Sequence, residues 1–184
     1  MLPFFIQKNC GIRLPGVLEI INRLFIFAAE ILGELQSYFI QYPNWDTMLH
    51  TTNGFLCAAV GFSLIDILNR NAKIKFTLSP VYVALAAFCF SMTIGVLWEF
   101  FEFSMDRLFH MDMQKDTIVH TISSVMLDPT NSNIPITIDG ITSVAVNGQD
   151  LGFSGYLDIG LYDTMEDLFV NFIGATVFSV IGYF

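Results

Sequence analysis

Residues 81–97 carry no charged side chain, and the run ends in Trp98-Glu99-Phe100-Phe101-Glu102-Phe103-Ser104-Met105-Asp106-Arg107. With its flanks, this run reaches the ~20 apolar residues that a helix needs to cross a bilayer. Glu99, Glu102 and Asp106 follow one another at i, i+3 and i+7, offsets that keep them within about 60° on a helix. A helix that is apolar for most of its length therefore turns acidic on one side at its end. There the acids meet water or a partner.

Other segments repeat the apolar character. The chain is 54% hydrophobic and only 14% charged, against roughly 25% charged residues in a soluble domain. These values predict an all-α polytopic membrane protein, a single domain over 1–184 with about four transmembrane helices. A small β-containing excursion at 110–162 is expected outside the membrane. The N-terminus does not read as a cleavable signal, because residues 1–6 are too short for an apolar core and Lys8 follows them. Cys10, Cys57 and Cys89 are too scattered for a disulfide framework or a zinc pair.

Four long helices are expected. The first covers 17–42, with Glu19, Arg23, Glu30, Glu34, Ser37 and Gln41 on one face at α-helical pitch. It either lies in the interface or spans with that stripe turned into a bundle. Its mainly acidic polar face favours spanning, since interfacial helices are usually basic there. The second opens at 44–47, with Asp46 or Thr47 as N-cap and Trp45 at the water boundary, and runs to 68. The third starts near Ser79-Pro80 and ends about Phe109. The fourth covers 163–183 and ends in apolar sequence, the pattern of a segment of something longer. Within the excursion a short helix is expected at 116–126 and a strand at 141–146. Turns are expected at Asp139-Gly140 and Asn147-Gly148.

Charge sets the expected topology. Arg70, Lys73 and Lys75 place the loop between the second and third helices in the cytoplasm, and Lys8 and Arg13 place the N-terminus there. The excursion sets Asp112, Asp116, Asp128, Asp139, Asp150 and Asp158 against Lys115 alone, which suits the outside. Four spans with both termini cytoplasmic satisfy all of these signals.

Under that topology three polar faces converge at the outer side. They are Asp46, His50 and Asn53; Glu99, Glu102 and Asp106; and Asp163, Asp167 and Asn171. The pattern Asp-Thr-apolar-x-His/Asp also recurs, at 46–50, 116–120 (Asp116 and His120) and 163–167. Each copy has a plain reading, since Asp-Thr before an apolar run is an ordinary N-cap and a lone histidine is commonly structural. Glu99 and Glu102 resist it, because they sit at a helix C-terminal end among aromatics, where the dipole disfavours anions. Their spacings match those by which helical bundles present metal ligands. A divalent metal is expected at Asp46, His50, Glu99, Glu102, Asp163 and Asp167, with a proton-binding site as the other reading. The identity of the metal stays open among Mg²⁺, Mn²⁺, Zn²⁺ and iron.

The segments Trp45-Asp46 with His50 and Gly54-Phe55, Trp98–Phe103 with Asp106, and Asp163-Thr164 with Asp167, Asn171 and Gly174-Ala175 resemble the YjdF-type family of small bacterial inner-membrane proteins. The resemblance covers about residues 44–180. The layout is more loosely similar to VanZ-like proteins of the cell envelope. It implies a bacterial membrane location and a polar intramembrane cluster, and no particular activity. Three functions fit the residues. The first is a metal-dependent enzyme acting on a lipid-linked or envelope substrate, although Gly-x-Ser-x-Gly and His-Glu-x-x-His are absent. The second is an ion- or proton-coupled carrier lined by the acidic stripe of the first helix, which with so few spans calls for a homo-oligomer. The third is a non-catalytic envelope interaction protein. Membrane lipid is the expected surrounding, and the few basic residues form no surface for nucleic acid.

Overall fold

The computed structural model describes residues 16–69 and 78–184. Lys8, Arg13, Cys10 and the basic cluster Arg70, Lys73 and Lys75 lie outside the described residues. Helix α1 (Gly16–Ile26) runs into a π-helical segment, Phe27–Leu35, followed by the single turn α2 (Tyr38–Gln41). Three longer helices follow: α3 (Trp45–Asn69), α4 (Pro80–Phe109) and α5 (Leu161–Tyr183). Of the described helices, these three are long and apolar enough to cross a membrane.

The helix expected at 17–42 is thus not one α-helix. The wider π turn changes the angular spacing after Ile26, and Ser37 takes a left-handed φ of 59° before α2 begins. The stripe from Glu19 to Gln41 therefore does not form one α-helical face. Asp46 and Thr47 are not N-caps either. The amide of Met48 already donates to the carbonyl of Asn44, so both residues lie inside the first turn of α3. Likewise α5 begins at Leu161, its start marked by Thr164 donating to Gly160 and by Tyr162 donating to the Asp158 carboxylate.

The described residues form two compact units. The first contains residues through Val96 and Asp167–Phe184. Its helices are packed through small residues. A side chain on Gly54 would run into the backbone of Asn171, and one on Gly174 into the backbone of Thr51. Phe55 and Phe62 both meet Phe178 edge-on. Later residues of α3 thus meet later residues of α5, and the two helices run parallel. Helix α4 runs the other way, with Phe88 edge-on to Phe172 and Gly95 against the Asn171 side chain. The hydroxyl of Ser91 donates to the carbonyl of Gly54 at 2.7 Å.

This interior inverts that of a soluble protein. The largest fully buried side chains are Asn171 and Ser91, while Val81, Leu85, Val177 and Val180 point outward. Between membrane helices, lipid tails compete for apolar contact as well as any leucine does. Association therefore relies on close approach of small residues and on interhelical hydrogen bonds.

The second unit, Leu97–Glu166, carries three two-stranded antiparallel ribbons. Strand β1 (Thr117–Val119) pairs with β6 (Tyr156–Asp158), β2 (Ile122–Ser124) with β3 (Ile136–Ile138), and β4 (Ala145–Val146) with β5 (Gln149–Asp150). The helix expected at 116–126 is instead β1, β2 and a 3₁₀ turn, Val125–Leu127. Its β-branched Thr117, Ile118, Val119, Thr121 and Ile122 suit a pleated strand better than a helix. The strand expected at 141–146 shrinks to Ala145–Val146, closed as expected by Asn147-Gly148 with φ of 53° and 79°. Both residues have the positive φ that a tight hairpin turn of this kind requires.

Gly54→Ala and Gly174→Ala are expected to destabilise the protein by about 1–3 kcal/mol each, as overpacked helix contacts do. Gly16→Ala, which meets nothing within 4 Å, is expected to be neutral. Thermal unfolding in detergent micelles measures all three, and a neutral Gly54→Ala would remove the close helix contact from the account of the fold.

Candidate metal centre in the helical bundle

The parallel course of α3 and α5, with α4 between opposite ends, explains which polar side chains can meet. His50 lies one turn before Gly54, and Asp167 lies one turn before Asn171. The backbone approach at Gly54 and Asn171 therefore draws His50 and Asp167 together. His50 Nε2 lies 3.6 Å from Asp167 Oδ2 and 3.5 Å from Asp46 Oδ1. His50 and Asp167 are buried, whereas Asp46 is half-buried.

Glu99 and Glu102 are also buried, at 4% and 7% exposure, so the C-terminal part of α4 turns these two acids away from its exposed aromatic face. Each of His50, Glu99, Glu102 and Asp167 offers a ligand atom, and these four atoms lie within 4.8 Å of one another. A second group, Asp46, Asp163 and Asp167, meets the same limit and shares Asp167 with the first. When ionised, the three carboxylates of the first group stand close to one another beside one imidazole. At such separations each like-charge pair costs on the order of 3 kcal/mol at an effective dielectric near 20. Positive charge among them is the direct remedy.

The donor set fits a divalent ion. Metal–nitrogen and metal–carboxylate bonds of about 2.0–2.2 Å place opposite ligand atoms up to ~4.4 Å apart, so a spread of 4.8 Å closes with small side-chain shifts. One imidazole with carboxylates suits Mn²⁺, Fe²⁺ or Zn²⁺. Trp98 adds a supporting contact that the apolar reading of its neighbourhood overlooked. Its indole N–H donates to Glu102 Oε1 at 2.8 Å, an i, i+4 pair that the sequence spacing already contained. Such outer hydrogen bonds orient ligand carboxylates.

The remaining polar residues have other work. Asp106 accepts from the backbone amides of Met113 and Gln114 at 2.7 and 2.9 Å, closing the turn after α4. Asn53 accepts from the Cys57 thiol. Asp163 accepts from the amide of Lys115 at 2.8 Å, in addition to its place in the second group. His120 is exposed, its ring Nδ1 2.9 Å from the carbonyl of Ile141. Asp116 precedes a strand, so the copy at 116–120 shares neither the helix nor the burial of the copies at 46–50 and 163–167. Asn171 is buried, with its amide directed to the sulfur of Met92 at 3.5 Å. Its side-chain oxygen has no hydrogen-bond partner among the described residues.

Outside the membrane segments two acids titrate abnormally. Partial desolvation, then repulsion from Asp112, Asp158 and Asp106, raises the Asp116 carboxyl above its usual range, with Lys115 opposing. Hydrogen bonds from Thr130 and Ser132, through both hydroxyls and backbone amides, hold the Asp128 carboxyl well below its ordinary value of 3.8. An acid depressed by folding stabilises the folded state fully above its unfolded value, and loses that contribution as pH falls through the folded one. The turn at 128–132 is therefore expected to hold at pH 5 and loosen only well below pH 3.8. Carboxyl NMR of the labelled protein checks this, and a midpoint at or above 3.8 would contradict it.

No curated protein and no solved structure matches the chain. The looser likeness to VanZ-like proteins gains no support from these comparisons. A family model matches residues 1–184 and is described as "Predicted membrane protein (DUF2238)". This is the YjdF-type family that the residues already resembled. The chain belongs to this family of predicted membrane proteins.

Proposed function

We propose that the protein is a metal-dependent membrane enzyme whose centre is the cluster of His50, Glu99, Glu102 and Asp167. The observation that carries this reading is the gathering of four buried ligand-type side chains from three apolar helices within 4.8 Å. Ionisable groups at membrane depth are costly and tend to be kept for function. One nitrogen and three carboxylates would hold a divalent ion of the Mn²⁺, Fe²⁺ or Zn²⁺ type. Bound there, it would supply Lewis acidity toward a phosphate or ester oxygen, the chemistry that a lipid-linked or envelope substrate presents.

The chain's own residues would set the stage for that chemistry. Trp98 would fix the Glu102 carboxylate, and Asp46, whose Oδ1 lies 3.5 Å from the same His50 Nε2 that faces Asp167, would add negative charge at the half-buried rim. The close-packed α3 and α5 would keep water out from below. The carrier reading finds less support, because the acids that would line its path do not form one face along residues 17–42. Glu30 and Glu34 are exposed, and the π-helical segment interrupts the stripe.

Metal analysis of the purified protein tests the proposal. About one equivalent of Mn²⁺, Fe²⁺ or Zn²⁺ is expected after loading. Affinity should fall at least ~10-fold in Glu99→Gln and Asp167→Asn, the lower bound of what even an outer-shell partner contributes. Asp106→Asn, which lies outside both groups, is expected to keep the metal. A wild-type protein that stays metal-free after loading, with a melting temperature indifferent to EDTA, would overturn the reading.

A further inference from the structure

We infer that residues 16–41 are an interfacial element, lying in the headgroup–acyl boundary of the bilayer rather than crossing it. Within α1, Val17, Ile20, Ile21 and Leu24 fall inside an arc of about 100° at 3.6 residues per turn. Glu19, Asn22 and Arg23 occupy the opposite arc, joined there by Ile26 at the helix end. The three spans show no such division, being apolar on nearly every side. A helix split into one apolar and one charged face is the type that rests in the plane of the interface.

The exposure of the charged face decides between lying and crossing. Arg23, Glu30 and Glu34 are all exposed, and among the described residues Arg23 pairs with Glu19 on its own helix, at 2.5 Å. A crossing segment would hold these charges in hydrocarbon, at about 2.5–3.5 kcal/mol for an arginine or acid at the centre even on insertion scales. A lying segment turns them to water. The apolar arc is equally open: Val17, Ile20 and Leu24 are 60–70% exposed, and Leu35 is 72% exposed. Lipid is the occupant that these residues fit, because the segment is continuous with a membrane-spanning helix. Residues Tyr38, Tyr42 and Trp45 form the joint, with ring centroids 4.8 and 5.0 Å apart. Tyrosine and tryptophan concentrate at this depth of a bilayer. The left-handed Ser37 supplies the bend that lets the chain turn from the interface into α3.

The acidic polar face, which in the sequence favoured spanning, is consistent with this placement. Binding then rests on buried apolar area instead of attraction to anionic lipid. Three spans follow rather than four, and residues 16–41 lie on the same side of the membrane as the excursion at 110–160.

Spin-label scanning of the full chain, with Cys10, Cys57 and Cys89 replaced by alanine, tests the inference in phosphatidylcholine–phosphatidylglycerol vesicles. Labels at Val17→Cys, Ile20→Cys, Leu24→Cys and Leu35→Cys are expected to be reached by oxygen at one shallow depth. Those at Arg23→Cys and Glu30→Cys should be reached by a water-soluble nickel reagent. A depth that rises through the bilayer centre along the segment would overturn the inference in favour of a fourth span. Apolar positions shielded from both reagents would overturn it in favour of a second copy or another protein on that face. Apolar positions open to nickel would exclude lipid contact altogether. An impermeant thiol reagent gives an independent readout in sealed vesicles, and Glu30→Cys is expected to react from the same side as Asp139→Cys. Reaction of Arg23→Cys from the opposite side to Asp139→Cys would also overturn it.

Discussion

The helical unit depends on one physical contact, the backbone approach of α3 and α5 at Gly54 and Gly174. Each glycine faces main-chain atoms of the partner helix, and neither place has room for a β-carbon. In a bilayer, apolar surface gains nothing by leaving lipid for another helix. Contact must therefore come from close van der Waals fit and hydrogen bonds. The bond from Ser91 to the Gly54 carbonyl adds α4 to the same point. Because His50 lies one turn before Gly54 and Asp167 one turn before Asn171, the fit that assembles α3 and α5 also brings His50 to Asp167. Packing and chemistry share a cause.

The excursion is stabilised by a different device. Its aspartates mostly serve the backbone around them. Asp106, Asp128, Asp150, Asp158 and Asp163 each accept main-chain amide hydrogens, and Asp139 accepts from the Thr121 hydroxyl. Short ribbons of two or three residues per strand bury little apolar area. Carboxylate-closed turns of this kind supply order that a core would otherwise provide. The acidity of 110–162, read from sequence as a topology signal, thus has a second origin in turn construction. The same use removes Asp106 from the candidate site.

The ends of α3, α4 and α5 were legible in the sequence within about two residues, because long apolar runs bounded by Pro80, His110 and Gly160 leave little choice. The excursion was not legible in the same way. Thr117 pairs with Asp158 and Ile122 with Ile138, partners too distant in the chain for any local window to connect. Its β-branched run, expected as a helix at 116–126, takes up strand geometry against those partners. The break in the first segment was hidden for another reason. Nothing in Phe27–Leu35 announces a π turn, and serine is not a residue type that signals the positive φ found at Ser37.

The sequence by itself determined that the chain carries apolar segments long enough to span, four by its count where three of the described helices qualify, and that Glu99 with Glu102, Asp46 with His50, and Asp167 with Asn171 each share a helix face. Those are consequences of residue type and helical pitch. Only the tertiary structure decided which of these faces meet and that His120 and Asp116 stand elsewhere. The reason is register. Where one helix settles along another depends on which small residues let the backbones touch, and that complementarity exists only between two surfaces.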